Sequence, residues 1–391
     1  MKIHYLSDIY FGKKNAGTTH TMEIYTNLSK KHDIHLICQK PEEKIEVQNK
    51  LYIPVFGTAR ILRMLILNVL FWIMYPVHFV VHNKPDVLYQ RFDGSLFFSP
   101  ALVFSKIFKI PLVMEVNGLM LDEIRMRDVP TFYLNLIRLS EKIYYQQASQ
   151  IIVVTEGIKK EITNTYAIPE NKIKVINNGV NTEKFKPMED ENDLKAKYNL
   201  ENKKIVMFVG IFVEWQGLEY LIESAPKVIE KRPDTIFLLV GDGPLKERLV
   251  NKVEKNGLME YFIFTGFVPH DQVPSFISIS DVCVVPKKPL KSGYSPLKLY
   301  EYMASGKSII ATRTDGFEIL EKSKSGILIN PKNSNQFSNS IVKLLQNESL
   351  RKQMGENGRR YVIENFSWKI AAIKIEQVLN ECSESYRRKP E

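Results

Sequence analysis

Cysteine is scarce in this chain: Cys38, Cys283 and Cys382 are the three among 391 residues, odd in number and far apart. That pattern argues against a disulfide scaffold and against a closed zinc site built on cysteines, and it fits a reducing compartment. The GxGxxG fingerprint is missing too. The loop at residues 7–20, SDIYFGKKNAGTTH, spaces its glycines differently, which argues against a standard dinucleotide site. Recognition-helix signatures, zinc-finger spacings and RNA-binding aromatic motifs are absent, so no nucleic-acid partner is expected. The opening MKIHYLSDIY is a strand pattern without an apolar signal segment, and secretion is not expected. Charge is less selective. A net charge of +10, from 54 Lys+Arg against 44 Asp+Glu, suits nucleic acid, anionic lipid or a phosphorylated substrate equally. There is one long apolar stretch, RILRMLILNVLFWIMYPVHFVV at Arg60–Val81, interrupted by Asn68, Pro76 and His78, with Arg60 and Arg63 at its start. It reads as a buried helix, as an interfacial helix dipping into a membrane or, least favoured, as a span. A crossing would strand the preceding βα unit on the wrong side of its own domain.

What the chain does contain is a repeated strand–loop–helix rhythm. At 44% apolar and 25% charged, 391 residues suffice for two well-packed domains. Apolar runs at residues 2–6, 34–38, 47–55, 86–89, 111–116, 150–154 and 173–176 read as strands. The charged stretch 182–201, containing Pro187, reads as a connection, after which strands resume at 204–209, 236–240, 261–264, 281–286 and 308–311. Helices at 335–347, 350–365 and 367–382 follow. Such βα units point to doubly wound parallel sheets, whose ligands lie off the carboxyl ends of the strands. Gly17 and His20 follow the first strand, and Glu115 and Asn117 end the fifth. His20 equally reads as a helix-terminal histidine without chemistry.

The most informative stretch is 292–312, SGYSPLKLYEYMASGKSIIAT. A polar turn feeds a helical segment carrying Lys298 and Glu301, which breaks at Ser305-Gly306 before a strand. Helix N-termini suit anions, so a phosphate at Ser295 with Lys298 one turn in is one reading. The other is that Pro296 merely starts a helix whose charges are solvated.

These loops resemble those of the retaining glycosyltransferases of group 1, or GT4. IIVVTEGIKKEI (151–162) and KIKVINNGVNTEKF (172–185) resemble the segment that closes that family's first domain. VGIFVEWQGLEYLIESAPKV, LLVGDGPLKERL, FTGFVPHDQVPSFISISDVCVVP and SPLKLYEYMASGKSIIAT resemble its second-domain blocks, in the family's order. The resemblance implies an α/β GT-B fold, two Rossmann-like doubly wound domains facing a central cleft. Residues 1–183 would bind the acceptor and 184–366 the donor, with the helix 367–382 packing back on the first domain.

It further implies transfer of a sugar, with retention, from a nucleotide sugar (UDP-, GDP- or ADP-linked) to a glycan or lipid-linked acceptor, without a metal or other cofactor. Gly266 and Val268 would flank the base and Glu301 would bind the ribose hydroxyls. Ser295, Pro296, Leu297, Lys298 and Leu299 would enclose the diphosphate and sugar, with Gly210 in the opening loop of the donor domain and Gly17 facing the diphosphate from the first. His20 or Glu115 would orient the sugar or acceptor, and Asn117 would bond a sugar hydroxyl. Two departures stand out. Gly293 occupies the place of the first of the family's two glutamates, and Ile211, Phe212 and Gln216 stand in the loop that commonly carries an arginine and a lysine, leaving Lys298 as the nearest cation. The expected role is cell-envelope or capsular polysaccharide synthesis in the cytoplasm, at the inner face of the membrane if Arg60–Val81 meets anionic lipid. The alternatives are a non-catalytic nucleotide-sugar-binding subunit and a GT-B epimerase or phosphorylase. Oligomeric state is not legible.

Overall fold

The structure, a computed structural model, describes residues 1–7, 9, 16–42, 45–56, 60–92, 99–119, 121, 131–188, 192–289 and 295–388. Two compact units emerge, one of residues 1–178 and 368–391 and one of residues 179–367.

In the first unit, β1 (Lys2–Ser7), β2 (Asp33–Gln39), β3 (Asn49–Ile53), β4 (Val87–Phe92), β5 (Leu112–Val116), β6 (Gln150–Val153) and β7 (Ile173–Val175) form one sheet. Their order is β3-β2-β1-β4-β5-β6-β7, and every pairing is parallel. Parallel strands need helical crossovers, which cover both faces; β4 (VLYQRF) and β5 (LVMEV) are accordingly buried along their whole length. The chain leaves β1 toward β2 and returns on its other side as β4. That reversal opens a crevice at the carboxyl ends of β1 and β4.

The stretch Arg60–Val81 is a single helix. Leu67, Phe71, Tyr75 and Phe79, four residues apart, are buried on one side of it. Leu65, Val69, Ile73, Val77 and Val80 are more than half exposed on the other. Among the described residues no helix is long and apolar enough to cross a membrane, so the spanning reading of this stretch is withdrawn. The helix Trp368–Arg387 runs beyond the 367–382 read from the sequence and packs on the helix Ala16–Leu28. Ala371, Ala372, Ile375, Val378 and Leu379 supply its buried stripe. Glu376 accepts from Lys31 Nζ at 3.2 Å and from the His32 ring at 3.0 Å.

The second unit repeats the plan with β8 (Lys204–Val209), β9 (Thr235–Val240), β10 (Phe262–Phe264), β11 (Val282–Val285), β12 (Ser308–Thr312) and β13 (Gly326–Ile329). The order is β10-β9-β8-β11-β12-β13, again parallel, with the reversal between β8 and β11. The sequence reading lacks β13, whose four residues, GILI, lie between polar, charged flanks. The first and last segments of this unit lie together: Val180 N–H donates to the Phe366 carbonyl at 2.8 Å.

Leu379 is fully buried although it lies close to the chain end. Leu379→Ala should destabilise the first unit by about 2–4 kcal/mol, the cost of a core truncation. A urea titration should show the transition of that unit moving and the other staying in place.

Candidate functional site

The carboxyl ends of β8 and β11 flank the start of the helix Leu297–Ala304. Pro296 stands at its N-cap without a side-chain capping bond, so the N–H groups of Leu297, Lys298 and Leu299 have no partner inside the helix. The opposite face is apolar: Leu299, Tyr300, Tyr302, Met303 and Ala304 are buried. One of these also anchors, as the Tyr302 hydroxyl accepts from Val209 N–H at 3.0 Å and pins the helix to the end of β8.

Lys298 points back over the same strand. Its Nζ lies 4.0 Å from the centroid of the Phe208 ring and donates to Gln216 Oε1 at 3.2 Å. Burial pulls this ammonium well below the ordinary lysine range; nearby Lys287 adds to the effect and Glu301 opposes it. Burial also pulls Lys287 down to about 7. The partial positive charge of the helix N-terminus completes a site where three sources of positive potential converge.

Glycine is required on the strand side. At Gly210, φ is +145°, and a Cβ there would lie 2.7 Å from Lys298 Nζ. At Gly241, φ is +137°, and a Cβ would lie 2.0 Å from the Gly210 carbonyl oxygen. Gly241 N–H in turn donates to the Gly266 carbonyl at 3.1 Å, so bare backbone gathers at the ends of β8, β9 and β10. Val268 packs half-buried against the core. Glu301 Oε1 lies 3.0 Å from His270 Nε2, and Lys184 Nζ lies 2.9 Å from His270 Nδ1. A lysine can only donate, so Nδ1 accepts and Nε2–H points at Glu301. Ser295 and Leu297 are half-buried and Pro296 is buried. Leu299 is fully buried, so it offers a ligand its backbone N–H and not its side chain. Gly293 lies outside the described residues.

A second cluster forms in the first unit at the ends of β4 and β5. Glu115 is 1% exposed in an otherwise apolar strand, and a buried carboxylate must be met by donors. Tyr89 donates its hydroxyl to Oε2, Asn117 Nδ2 donates to Oε1 at 3.0 Å, and His20 Nε2 lies 2.5 Å from Oε1. His20 Nδ1 is 2.7 Å from Asn178 Oδ1. Burial alone would push the Glu115 carboxyl up, but His20, Arg91 and the Tyr89 hydroxyl hold it down to about 2. Arg91 Nη1 also donates to the Gly17 carbonyl at 3.2 Å, fixing the turn that opens the helix Ala16–Leu28. Asn117 Oδ1 is buried with no hydrogen-bond partner among the described residues.

Gly17, His20, Glu115 and Asn117 are thus gathered in one unit, and Gly210, Gly266, Lys298 and Glu301 in the other. Sequence reasoning missed the partners that orient them: His270 and Lys184 for Glu301, Gln216 for Lys298, and Tyr89, Arg91 and Asn178 for the Glu115–His20 pair. Lys287 had a signal, since it lies two residues beyond the end of β11.

The pattern of the family described as Glycosyl transferases group 1 matches residues 190–382, and that of Glycosyltransferase Family 4 matches residues 17–184. An uncharacterized glycosyltransferase of Methanocaldococcus jannaschii is 28% identical over 59% of this chain and 60% of its own length. The alpha-D-kanosaminyltransferase of Streptomyces kanamyceticus is 24% identical over 74% of this chain and 75% of its own. Among solved structures, sucrose-phosphate synthase from Thermosynechococcus elongatus superposes with a TM-score of 0.76 at 18% identity, covering 98% of this chain and 99% of that one. Anabaena HepE in complex with UDP gives 0.74 at 18% identity, covering 97% and 100%. The two parallel-sheet α/β units agree with the GT-B architecture of these structures.

The Glu115 geometry has a measurable consequence. A carboxyl depressed in the folded state stabilises the fold above its unfolded pKa, near 4.3, and loses that contribution as pH falls through its folded value. Acidification from pH 5 toward 2 should therefore remove about 2–3 kcal/mol that Glu115→Gln lacks throughout. Urea unfolding across this range should give the variant a flatter acid limb; parallel limbs would contradict the arrangement.

Proposed function

The chain belongs to the group 1 (GT4-like) glycosyltransferases, and we propose that it is a retaining enzyme that moves a sugar from a nucleotide-sugar donor to a glycan or lipid-linked acceptor. The observation that carries this reading is the positive focus at the start of the helix Leu297–Ala304, where Lys298, Lys287 and helical N–H groups without an intrahelical partner converge beside bare glycine backbone. Its chemistry suits a diphosphate. Solved complexes of Anabaena HepE with UDP and with UDP-glucose support a nucleotide sugar as the ligand.

In this reading the diphosphate lies against the N–H groups of residues 297–299 and the Lys298 ammonium. Gly266 and Val268 flank the base, and Glu301, oriented by His270, accepts from the ribose hydroxyls. The bond from the anomeric carbon to the phosphate oxygen breaks, and the acceptor oxygen bonds to the same face of that carbon. The acceptor proton passes to the departing phosphate oxygen. Lys298 and the helix N-terminus hold the negative charge that develops there, so the scheme needs no metal. In the first unit, Asn117 Oδ1, buried without a partner among the described residues, takes a sugar hydroxyl. His20 and Glu115, enclosed and bonded to one another, act as positioning residues for Asn117.

A cell-envelope or capsular role at the inner face of a membrane is part of the proposal. It is supported by the exposed apolar row Leu65, Val69, Ile73, Val77 and Val80, with Arg63 near its start. The deciding experiment is release of UDP, GDP or ADP from a donor panel, with and without lipid-linked acceptors. Tight nucleotide binding without hydrolysis or transfer would replace the enzyme by a binding subunit.

Lys298→Ala should lower turnover by roughly 10- to 1,000-fold, since it removes charge stabilisation from the departing phosphate; unchanged turnover would make the residue structural only. Glu301→Ala should weaken the donor by about 1.5–3 kcal/mol, the worth of hydrogen bonds to a charged group. Calorimetric titration of the donor is the check, and an unaltered dissociation constant would remove Glu301 from the ribose.

A further inference from the structure

Four of the seven histidines of the chain meet in one place in the first unit, and none of the four belongs to the two clusters described above. His4 on β1 and His35 on β2 are register partners in the parallel ladder, so their side chains leave the same face of the sheet. The helix Arg60–Val81 covers that face and brings His78 down onto them; His82 follows one turn later. One ring nitrogen of each of His4, His35 and His78 lies within 4.8 Å of the other two, and all three residues are buried.

We propose that His4, His35 and His78 form a binding site for a divalent transition-metal ion of the zinc class, with His82 at the entrance. The hydrogen bonds around the rings select the ligating nitrogens. Asp33 Oδ1 lies 3.3 Å from His35 Nε2, so that nitrogen donates and Nδ1 carries the lone pair. His35 Nδ1 faces His78 Nε2 at 3.1 Å, close to the ~3.3 Å that separates two nitrogens on one tetrahedral zinc ion. His4 Nδ1 is engaged with the Tyr75 hydroxyl at 3.2 Å. The other nitrogen, Nε2, is buried and has no hydrogen-bond partner among the described residues.

A fully enclosed imidazole nitrogen without a partner costs free energy unless something meets it, and a metal ion does so. Burial also favours the neutral form of all three rings, which is the form that binds a metal. Three imidazoles suit zinc, copper, nickel or cobalt over the oxygen-seeking magnesium and calcium. The exposed His82 ring, 4.3 Å from that of His78 and 4.8 Å from that of His35 between centroids, stands where a fourth ligand would enter from solvent. Asp33 is the carboxylate that orients a ligating histidine from behind. Bridging β1, β2 and the helix, the ion would clamp that helix to the sheet.

Tag-free protein stripped with a chelator and titrated with Co2+ should take up one equivalent per chain, with the visible d–d absorption of a tetrahedral nitrogen site that one equivalent of Zn2+ bleaches. Zinc at about 100 times its Kd should raise the melting temperature by about 5 °C or more. His78→Gln should abolish both effects. Asp33→Asn, at a half-exposed position that leaves the packing intact, should weaken zinc about 10- to 100-fold. Absence of the d–d bands in the parent protein would overturn the proposal and leave a hydrogen-bonded histidine cluster; so would bands that persist unchanged in both variants.

Discussion

The Lys298 ammonium is the constraint around which the second unit is arranged. It is withdrawn from bulk water and set on the Phe208 ring and the Gln216 amide oxygen, beside a helix N-terminus and near a second depressed lysine. Of its neighbours only Glu301 opposes the effect of burial, and burial outweighs it, so the group rests in a state that an arriving anion would relieve. The surroundings follow from it. Gly210 must be glycine because its φ of +145° is one that side chains rarely adopt, and Gly241 must lack a side chain because the Gly210 backbone occupies that space. Tyr302 fixes the helix to β8 and so sets where the ammonium lies. Gln216 also acquires a purpose: a lysine there would set a second ammonium against Lys298. This chain draws its cation from the helix side of the crevice and not from the loop after β8.

The first unit uses the opposite charge with the same logic. Glu115 lies in a strand that is otherwise apolar, and its two oxygens are met by Asn117 just beyond the same strand and by Tyr89 and His20 drawn from two other segments. The carboxylate holds its donors still, which leaves Asn117 Oδ1 as the unmet group. In each unit a charge placed at the carboxyl end of a central strand, next to the reversal in strand order, defines the functional surface, as expected for open parallel sheets.

The fold and family were legible because their signals are contiguous: apolar runs ending in glycine turns, and six family-like blocks in order. Most strands lie within two residues of their expected limits. β13 escaped because four residues between charged flanks carry no periodicity, and the 367–382 helix was cut short because its polar face continues into the tail. The site was half legible. Lys298, Glu301, Gly210 and Glu115 lie where a strand or helix terminus advertises them. Their partners come from far away, His270 by 31 residues from Glu301 and Asn178 by 158 from His20, and proximity of that kind exists only after folding. The histidines at 4, 35 and 78 were invisible for the same reason, since strand register and a covering helix bring them together.

The central claim, that a depressed lysine pair at a helix start awaits a diphosphate, is tested most directly by proton linkage. An anion favours the charged lysines, so binding must draw protons from solution, and affinity must fall as pH rises through the Lys287 value of about 7. Calorimetric titration with UDP, GDP and ADP near pH 8, in buffers of different ionisation enthalpy, should reveal net proton uptake by the lysine pair on binding. Lys298→Met should reduce that uptake. Binding with no proton uptake, or uptake that is the same in the variant, would contradict the account.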